Sequence, residues 1–178
     1  LARLAEWYQS ERHRLLPEEQ WAHGASLQFL GRPMTMMLQP QLQQHQWDDF
    51  RRELLLALPL DASIEQIRDT VHAWLQGQAR QMFAARLEAI SQLSGRRYSR
   101  FSLSNARGRW GSCTEDGHIR LNWRLIHFGQ EVIDYVIAHE LAHTITMDHG
   151  ASFWDEVAEI LPGYEEGKAV LRKTRLDS

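Results

Sequence analysis

Cysteine is nearly absent from this chain: Cys113 is the only one in 178 residues. No internal disulfide can form, which excludes a disulfide-stapled secreted scaffold and points to a reducing compartment. Long hydrophobic runs are missing too. The longest, Leu54 to Leu58, has five residues, against roughly 20 for a membrane-spanning helix. The opening Leu1-Ala2-Arg3-Leu4-Ala5-Glu6 lacks a basic segment followed by an apolar core, so a cytoplasmic location with no membrane partner is expected. Neither charge sign dominates. The 20 basic and 23 acidic residues leave a formal charge of −3, which argues against a dedicated nucleic-acid binder. There is no internal repeat, low-complexity tract or long Pro/Ser/Gly linker, and one domain over residues 1–178 is expected. Within it, residues 1–60 form an N-terminal helix and strand region, and residues 61–178 a catalytic core.

The pattern of what is present implies an α+β fold. Leu1, Leu4, Ala5, Tyr8, Leu15 and Leu16 recur at loose helical spacing up to Pro17. Leu27–Leu30 and Met34–Leu38 read as two strands around Gly31-Arg32-Pro33. Arg51–Leu58 is either a strand or a buried helical turn. Ser63 and Gln66 match a capping box, and Ile64, Ile67, Val71, Trp74, Leu75, Met82, Phe83, Leu87, Ile90 and Leu93 keep a helical period, so a long packing helix is expected from Ile64 to Leu93, with a bend allowed at Gly77. Three strand-like pieces follow: Tyr98–Leu103, Arg109–Ser112 and His118–Trp123. Glu115-Asp116-Gly117 makes a hairpin turn between the last two, so a small antiparallel sheet is expected. Gln130–Met147 reads as a helix, and Phe153–Leu161 as another capped by Ser152 and ended by Pro162-Gly163. A charged helix closes the chain.

Chemistry concentrates in His139-Glu140-Leu141-Ala142-His143, an HExxH pattern inside the Gln130–Met147 helix. Residues four apart on a helix differ by about 40° around the axis and about 6 Å along it, so both imidazoles can face one ion. Zinc accepts imidazole nitrogens at about 2.0–2.1 Å. Glu140 lies about 100° from His139 and about 60° from His143, beside the ion and placed to take a proton from water. With 9 His and 14 Glu, shuffled chains would show the pattern by chance in roughly 3–4% of cases. The motif therefore needs a context, and Val136, Ile137 and Leu141 supply one as the apolar face of its helix.

The residues leave a third ligand open. His149 follows six residues after His143, and a continuing helix would turn it about 240° away. It can ligate only if the helix ends first, for which Asp148-His149-Gly150 provides a stop. Glu156 and Glu159 on the next helix are the other candidates. The spacing also matches HExxHxxGxxH, but Thr146 stands where that pattern has glycine, and no methionine follows Met147 to make a Met-turn.

Several separated motifs occur in order: Arg109-Trp110-Gly111-Ser112-Cys113, Ile119-Arg120-Leu121-Asn122-Trp123-Arg124-Leu125-Ile126, Val132–His143, Asp148-His149 and Phe153-Trp154. Together they resemble the YgjP-like metallopeptidase family, related to the SprT and WLM peptidases, over roughly residues 30–171. The resemblance implies a zincin-like α+β metallopeptidase domain with an HExxH active-site helix. It implies Zn²⁺ held by His139, His143 and His149, with Glu140 as general base, and a peptide or protein substrate. It also suggests that the strand around Trp110 borders a cleft that takes extended substrates.

Other residues have plainer readings. Cys113, Asn122, Trp123, Tyr135, Phe153 and Trp154 are assigned to the scaffold, and His118 and His127 to the surface or to turns. His13, His23, His45 and His72 have no ligand-spaced partner. The segment Arg96–Arg124 holds seven arginines against Glu115 and Asp116. That excess supports two rival readings: a metal-dependent nucleoside triphosphate phosphohydrolase, and a zinc-stabilised module that contacts nucleic acid without turnover.

Overall fold

The computed structural model describes residues 20–176, so the helix expected from Leu1 to Leu16 lies outside the described residues. Four short strands come first: β1 (Ser26–Phe29), β2 (Arg32–Leu38), β3 (Gln46–Asp48) and β4 (Glu53–Leu56). They form a sheet in the order β1-β2-β4-β3, with β2 and β4 parallel and the outer pairs antiparallel. The strand alternative for Arg51–Leu58 is therefore the observed one. Met34, Met36 and Leu38 alternate inward along β2 and meet Leu54 and Leu56 of β4 in the core.

Helix α1 (Ile64–Ser94) runs unbroken through Gly77. Ser63 caps its start by accepting from the Gln66 N–H at 3.1 Å, and Gly95, at φ 73°, closes its end by donating to the Ser91 carbonyl. Its buried residues, Ile67, Val71, Leu75, Ala79, Phe83, Leu87 and Ile90, recur almost every fourth position. Such a stripe drifts by about 40° per step, so successive parts of one helix face different neighbours. Accordingly α1 packs on the turn at Trp123–His127, on both helices that carry the site described below, and on the strand that follows it.

The second sheet comprises β5 (Arg100–Ser104), β6 (Gly111–Cys113) and β7 (His118–Asn122), in the order β5-β7-β6. The β6–β7 hairpin is antiparallel as expected, whereas β5 joins β7 in parallel. The connection from β5 crosses the end of the sheet where β7 finishes, and β6 starts back from that same end, so β7, antiparallel to β6, runs parallel to β5. This follows from where the loop lands, which local propensity does not encode. Ile119 and Leu121 face the core and are fully buried. A 3-10 turn, Trp123–His127, leads into α2 (Gln130–Ala142), α3 (Ala151–Ile160) and α4 (Glu165–Leu176).

Helix α2 is the central element. Val132, Ile133, Ile137, Ala138, Leu141 and Ala142 are all fully buried. Its rotation is fixed by Arg86 of α1, whose Nε and Nη2 donate to the two carboxylate oxygens of Asp134 at 2.9 and 2.8 Å. Helix α4 crosses it closely at Gly167, where a Cβ would come within 2.2 Å of the Glu131 carbonyl oxygen. Any side chain there would push the two helices apart.

Three sequence expectations are corrected. The helix expected to reach Met147 ends at Ala142. There the His143, Thr144 and Ile145 N–H groups step back only three residues, to the carbonyls of Glu140, Leu141 and Ala142. The Thr144 hydroxyl also donates to the Leu141 carbonyl at 2.6 Å, and these bonds tighten and end the last turn. The cap of α3 is Gly150 rather than Ser152, with no side-chain bond. His118 is buried in β7 rather than superficial, and His127 lies in a turn as expected, the 3-10 segment, but is buried there. Among the described residues no helix is long and apolar enough to cross a membrane.

Candidate metal centre

One imidazole projects from the last turn of α2, at His139, and another from the residue that caps the helix, His143, and their ring centres lie 5.0 Å apart. The early helix end then lets residues 143–150 reverse direction. Asp148 steadies the reversal by accepting from the Gly150 N–H at 3.0 Å. The reversal brings His149 back, its ring 5.3 Å from that of His139 and 4.8 Å from that of His143. One ligating atom from each of the three residues lies within 4.8 Å of the others. Phe153, on the first turn of α3 and fully buried, forms the floor. Its ring centre is 5.0, 4.6 and 4.9 Å from those of His139, His143 and His149.

The donor set can be tested against a metal. His143 Nδ1 lies 3.1 Å from the Thr146 carbonyl oxygen, which can only accept. This contact fixes the tautomer with the proton on Nδ1 and leaves Nε2 free for an ion. Burial, partly opposed by the charge of Glu140, holds the His143 imidazole below its usual titration range and so in the neutral form that ligates. Three imidazoles converging on one point over an apolar floor suit zinc, whose catalytic sites use three protein ligands and keep one position open.

Glu140 is 4% exposed, and its Oε2 lies 3.2 Å from His139 Nδ1. Strand β6 lies directly on it. A Cβ at Gly111 would come within 2.9 Å of Glu140 Oε2 and 3.1 Å of its Cγ, so only glycine lets the strand approach this closely. Glu156 and Glu159, the other candidates for a third ligand, are engaged elsewhere. Both accept from Arg96, at 2.6 and 2.7 Å.

The remaining singled-out residues are placed as follows. Trp110 is 3% exposed and packs edge-on against Phe128. Cys113 is half-buried, and burial together with the charges of Glu140 and Asp116 pushes its thiol up to about 11, so it stays protonated. His127 Nδ1 meets the Gln28 carbonyl at 2.7 Å, and His118 Nε2 meets Ser102 Oγ at 2.8 Å. The arginines of residues 96–124 are dispersed. Arg96 is bound to the two glutamates, Arg124 lies over the Trp123 ring, and Arg97, Arg100, Arg107, Arg109 and Arg120 face solvent. Two contributors were not singled out for the site from sequence: Phe153, assigned only to the scaffold, and Gly111. The Phe153 position, four residues beyond His149 and one helical turn on, is the signal that could have revealed it.

A family model described as YgjP-like, metallopeptidase domain, matches residues 1–174. Among solved structures, the metallopeptidase zymogen abylysin of Pyrococcus abyssi is similar at 24% identity. The match covers 51% of this chain and 92% of that one, with a TM-score of 0.46. The metallopeptidase zymogen jannalysin of Methanocaldococcus jannaschii is similar at 20% identity, over 54% of this chain and 97% of that one, with a TM-score of 0.45. No curated protein sequence matches the chain.

Proposed function

Since the chain belongs to the YgjP-like metallopeptidase family, we propose that it is a zinc-dependent peptidase in which His139, His143 and His149 hold the ion and Glu140 is the general base. The observation that carries this reading is the convergence of three imidazole donors within 4.8 Å, with a buried carboxylate beside them and, lying on that carboxylate, strand β6, which pairs with no further strand among the described residues. Zinc, when bound, supplies Lewis acidity that polarises a carbonyl and acidifies a water. Glu140 would accept a proton from water beside the three histidines and return it to the leaving amine. Phe153 excludes solvent from beneath the imidazoles, and the Thr146 carbonyl keeps the His143 ring oriented.

Strand β6 offers the place for a substrate backbone. The Asn122 N–H donates to the Trp110 carbonyl at 2.8 Å and the Thr114 N–H to the His118 carbonyl at 3.1 Å. In an antiparallel ladder the hydrogen-bonded pairs alternate, so Ser112 bonds inward to Arg120 of β7. The N–H and C=O groups of Gly111 and Cys113 then point away from β7, toward the free edge. An extended peptide can add there as a further strand, immediately above Glu140.

The family match lends nucleic-acid contact no support. The test is zinc content and cleavage of unfolded protein by wild type and Glu140→Gln. The variant should keep its zinc and lose turnover by about 10²–10⁴-fold, the usual worth of a general base. A zinc-loaded Gln variant that cleaves at the wild-type rate removes Glu140 from this role. Phosphate release from nucleoside triphosphates, stopped by the same substitution, would replace the peptidase reading by a phosphohydrolase one.

A further inference from the structure

Beyond the metal and the base, the register of the second sheet says what kind of side chain the substrate should carry. This step rests on the reading of β6 as the substrate-binding edge. On β7, Ile119 and Leu121 face the core and Arg120 faces out. Arg120 is flanked in register by Ser102 of β5 and Ser112 of β6. Both in-register neighbours are small, so neither of them blocks a sideways reach over the sheet. Among the described residues no carboxylate lies within salt-bridge distance of Arg120, whereas Arg68, Arg86 and Arg96 each have one. The nearest turn supplies Asp116, but its charge is felt by Arg100, at the far end of the strand pair.

Residues directly paired across adjacent strands point to the same face of a sheet. In a peptide added at β6, the residues bonded opposite Gly111 and Cys113 face the metal side with them. The residue opposite Ser112 faces outward, in one row with Ser112 and Arg120. Two strand spacings separate it from Arg120, about 10 Å between Cβ atoms. An extended arginine and a glutamate or aspartate together span that gap over the short serine. A lysine or arginine in the same place would meet an uncompensated guanidinium.

We propose that Arg120 is a specificity-determining residue that selects an acidic side chain at the outward-facing substrate position paired with Ser112, reaching it over that serine. Because strand addition alternates sides, the preference belongs to one position in the substrate, with its immediate neighbours on the chain indifferent to Arg120.

The experiment starts from a peptide that the zinc-loaded wild type cuts and places Glu, Gln or Lys at each position in turn. Cleavage by the wild type is measured, and binding of the same fluorescein-labelled peptides to Glu140→Gln by anisotropy. At one position the wild type should prefer Glu over Gln by about fivefold, and Gln over Lys, with the ratio falling as salt rises. Arg120→Gln should bring the Glu-to-Gln ratio to one, and Arg120→Glu should invert the preference toward Lys. Circular dichroism melts check that both variants fold, as expected for an exposed strand position. Cleavage with no charge preference, or a preference unchanged in both variants, overturns the assignment of Arg120 and leaves the peptidase reading standing. Failure of every peptide to be cut by the wild type or bound by Glu140→Gln overturns that reading and this assignment with it.

Discussion

Two groups of histidines in this molecule have opposite fates. His139, His143 and His149 turn toward one another over Phe153, with one ligating atom of each within 4.8 Å of the others. His127, His118 and His72 are each taken up by the scaffold. The first bonds to the Gln28 carbonyl, the second meets Ser102 Oγ, and the third sits between the rings of Trp21 and Trp123 at 5.3 and 5.2 Å. The difference teaches that an imidazole becomes a candidate ligand where the fold leaves its nitrogen pointing at other donors. Where a carbonyl, hydroxyl or aromatic wall meets the ring and no second ligating group lies near it, the same side chain is a packing unit; His143 also has a carbonyl partner, at Thr146, but stands beside two other imidazoles.

The sharpest way to break that comparison is to exchange the groups' consequences by mutation. His143→Ala should lose bound zinc and activity down to the level of chelator-treated protein, read by metal analysis and cleavage of unfolded protein. His149→Ala should weaken zinc binding by at least tenfold, taking the loss of one of three ligands as about 1.4 kcal/mol or more. Glu156→Ala and Glu159→Ala should leave affinity within about twofold, because their charges answer Arg96. The opposite ranking would move the third ligand onto α3.

Acidification should strike the scaffold group. Burial, with lesser contributions from nearby His127 and positive arginines, lowers His72 from 6.5 to about 4 in the folded chain. The unfolded chain then binds the extra proton first, so this contribution to stability is intact above pH 6.5 and is lost as the pH falls toward 4. The loss is at most about 3 kcal/mol for such a shift. Denaturant melts at pH 7 and pH 4.5 measure it, and His72→Phe should flatten the dependence. A melt midpoint of the wild type that does not move between those pH values would break the assignment.

Smaller effects separate stability from metal binding. Asp134→Ala leaves Arg86 without its bidentate partner on the metal helix. It should cost about 1–2 kcal/mol, since the arginine is partly exposed and only partly desolvated. His127→Ala should cost about 1–3 kcal/mol through the buried Gln28 carbonyl it abandons, while zinc stoichiometry stays at the wild-type value. Loss of zinc in His127→Ala would show that the two groups of histidines are coupled.

Much of the fold's local structure was legible. The helix α1, its Ser63 cap and six of its seven buried residues are written in spacing and residue type, because helical period and capping act over a few residues, whereas Ile64 and Leu93 fit the period and are nonetheless exposed. The pairing of His139 with His143 was legible for the same reason. The end of α2 was not. It depends on Thr144 turning its hydroxyl back to Leu141 and on the His143 ring meeting the Thr146 carbonyl, contacts that a periodicity reading does not weigh. Nor was the burial of His118 and His127, since polar side chains in short turns carry no signal of which element will cover them.

What the sequence determined by itself was a helix carrying two imidazoles and a carboxylate at positions that share a face, since i, i+4 geometry is a property of the helix alone. Only the tertiary structure decided that His149 rather than Glu156 or Glu159 comes within 4.8 Å of them, that Phe153 packs on all three rings, and that Gly111 brings the edge strand of the second sheet onto Glu140. Those are relations between segments distant along the chain. They are set by how the loop at 143–150 reverses and by how the β6–β7 hairpin docks on α2, where packing of the whole core outweighs any preference of the residues involved.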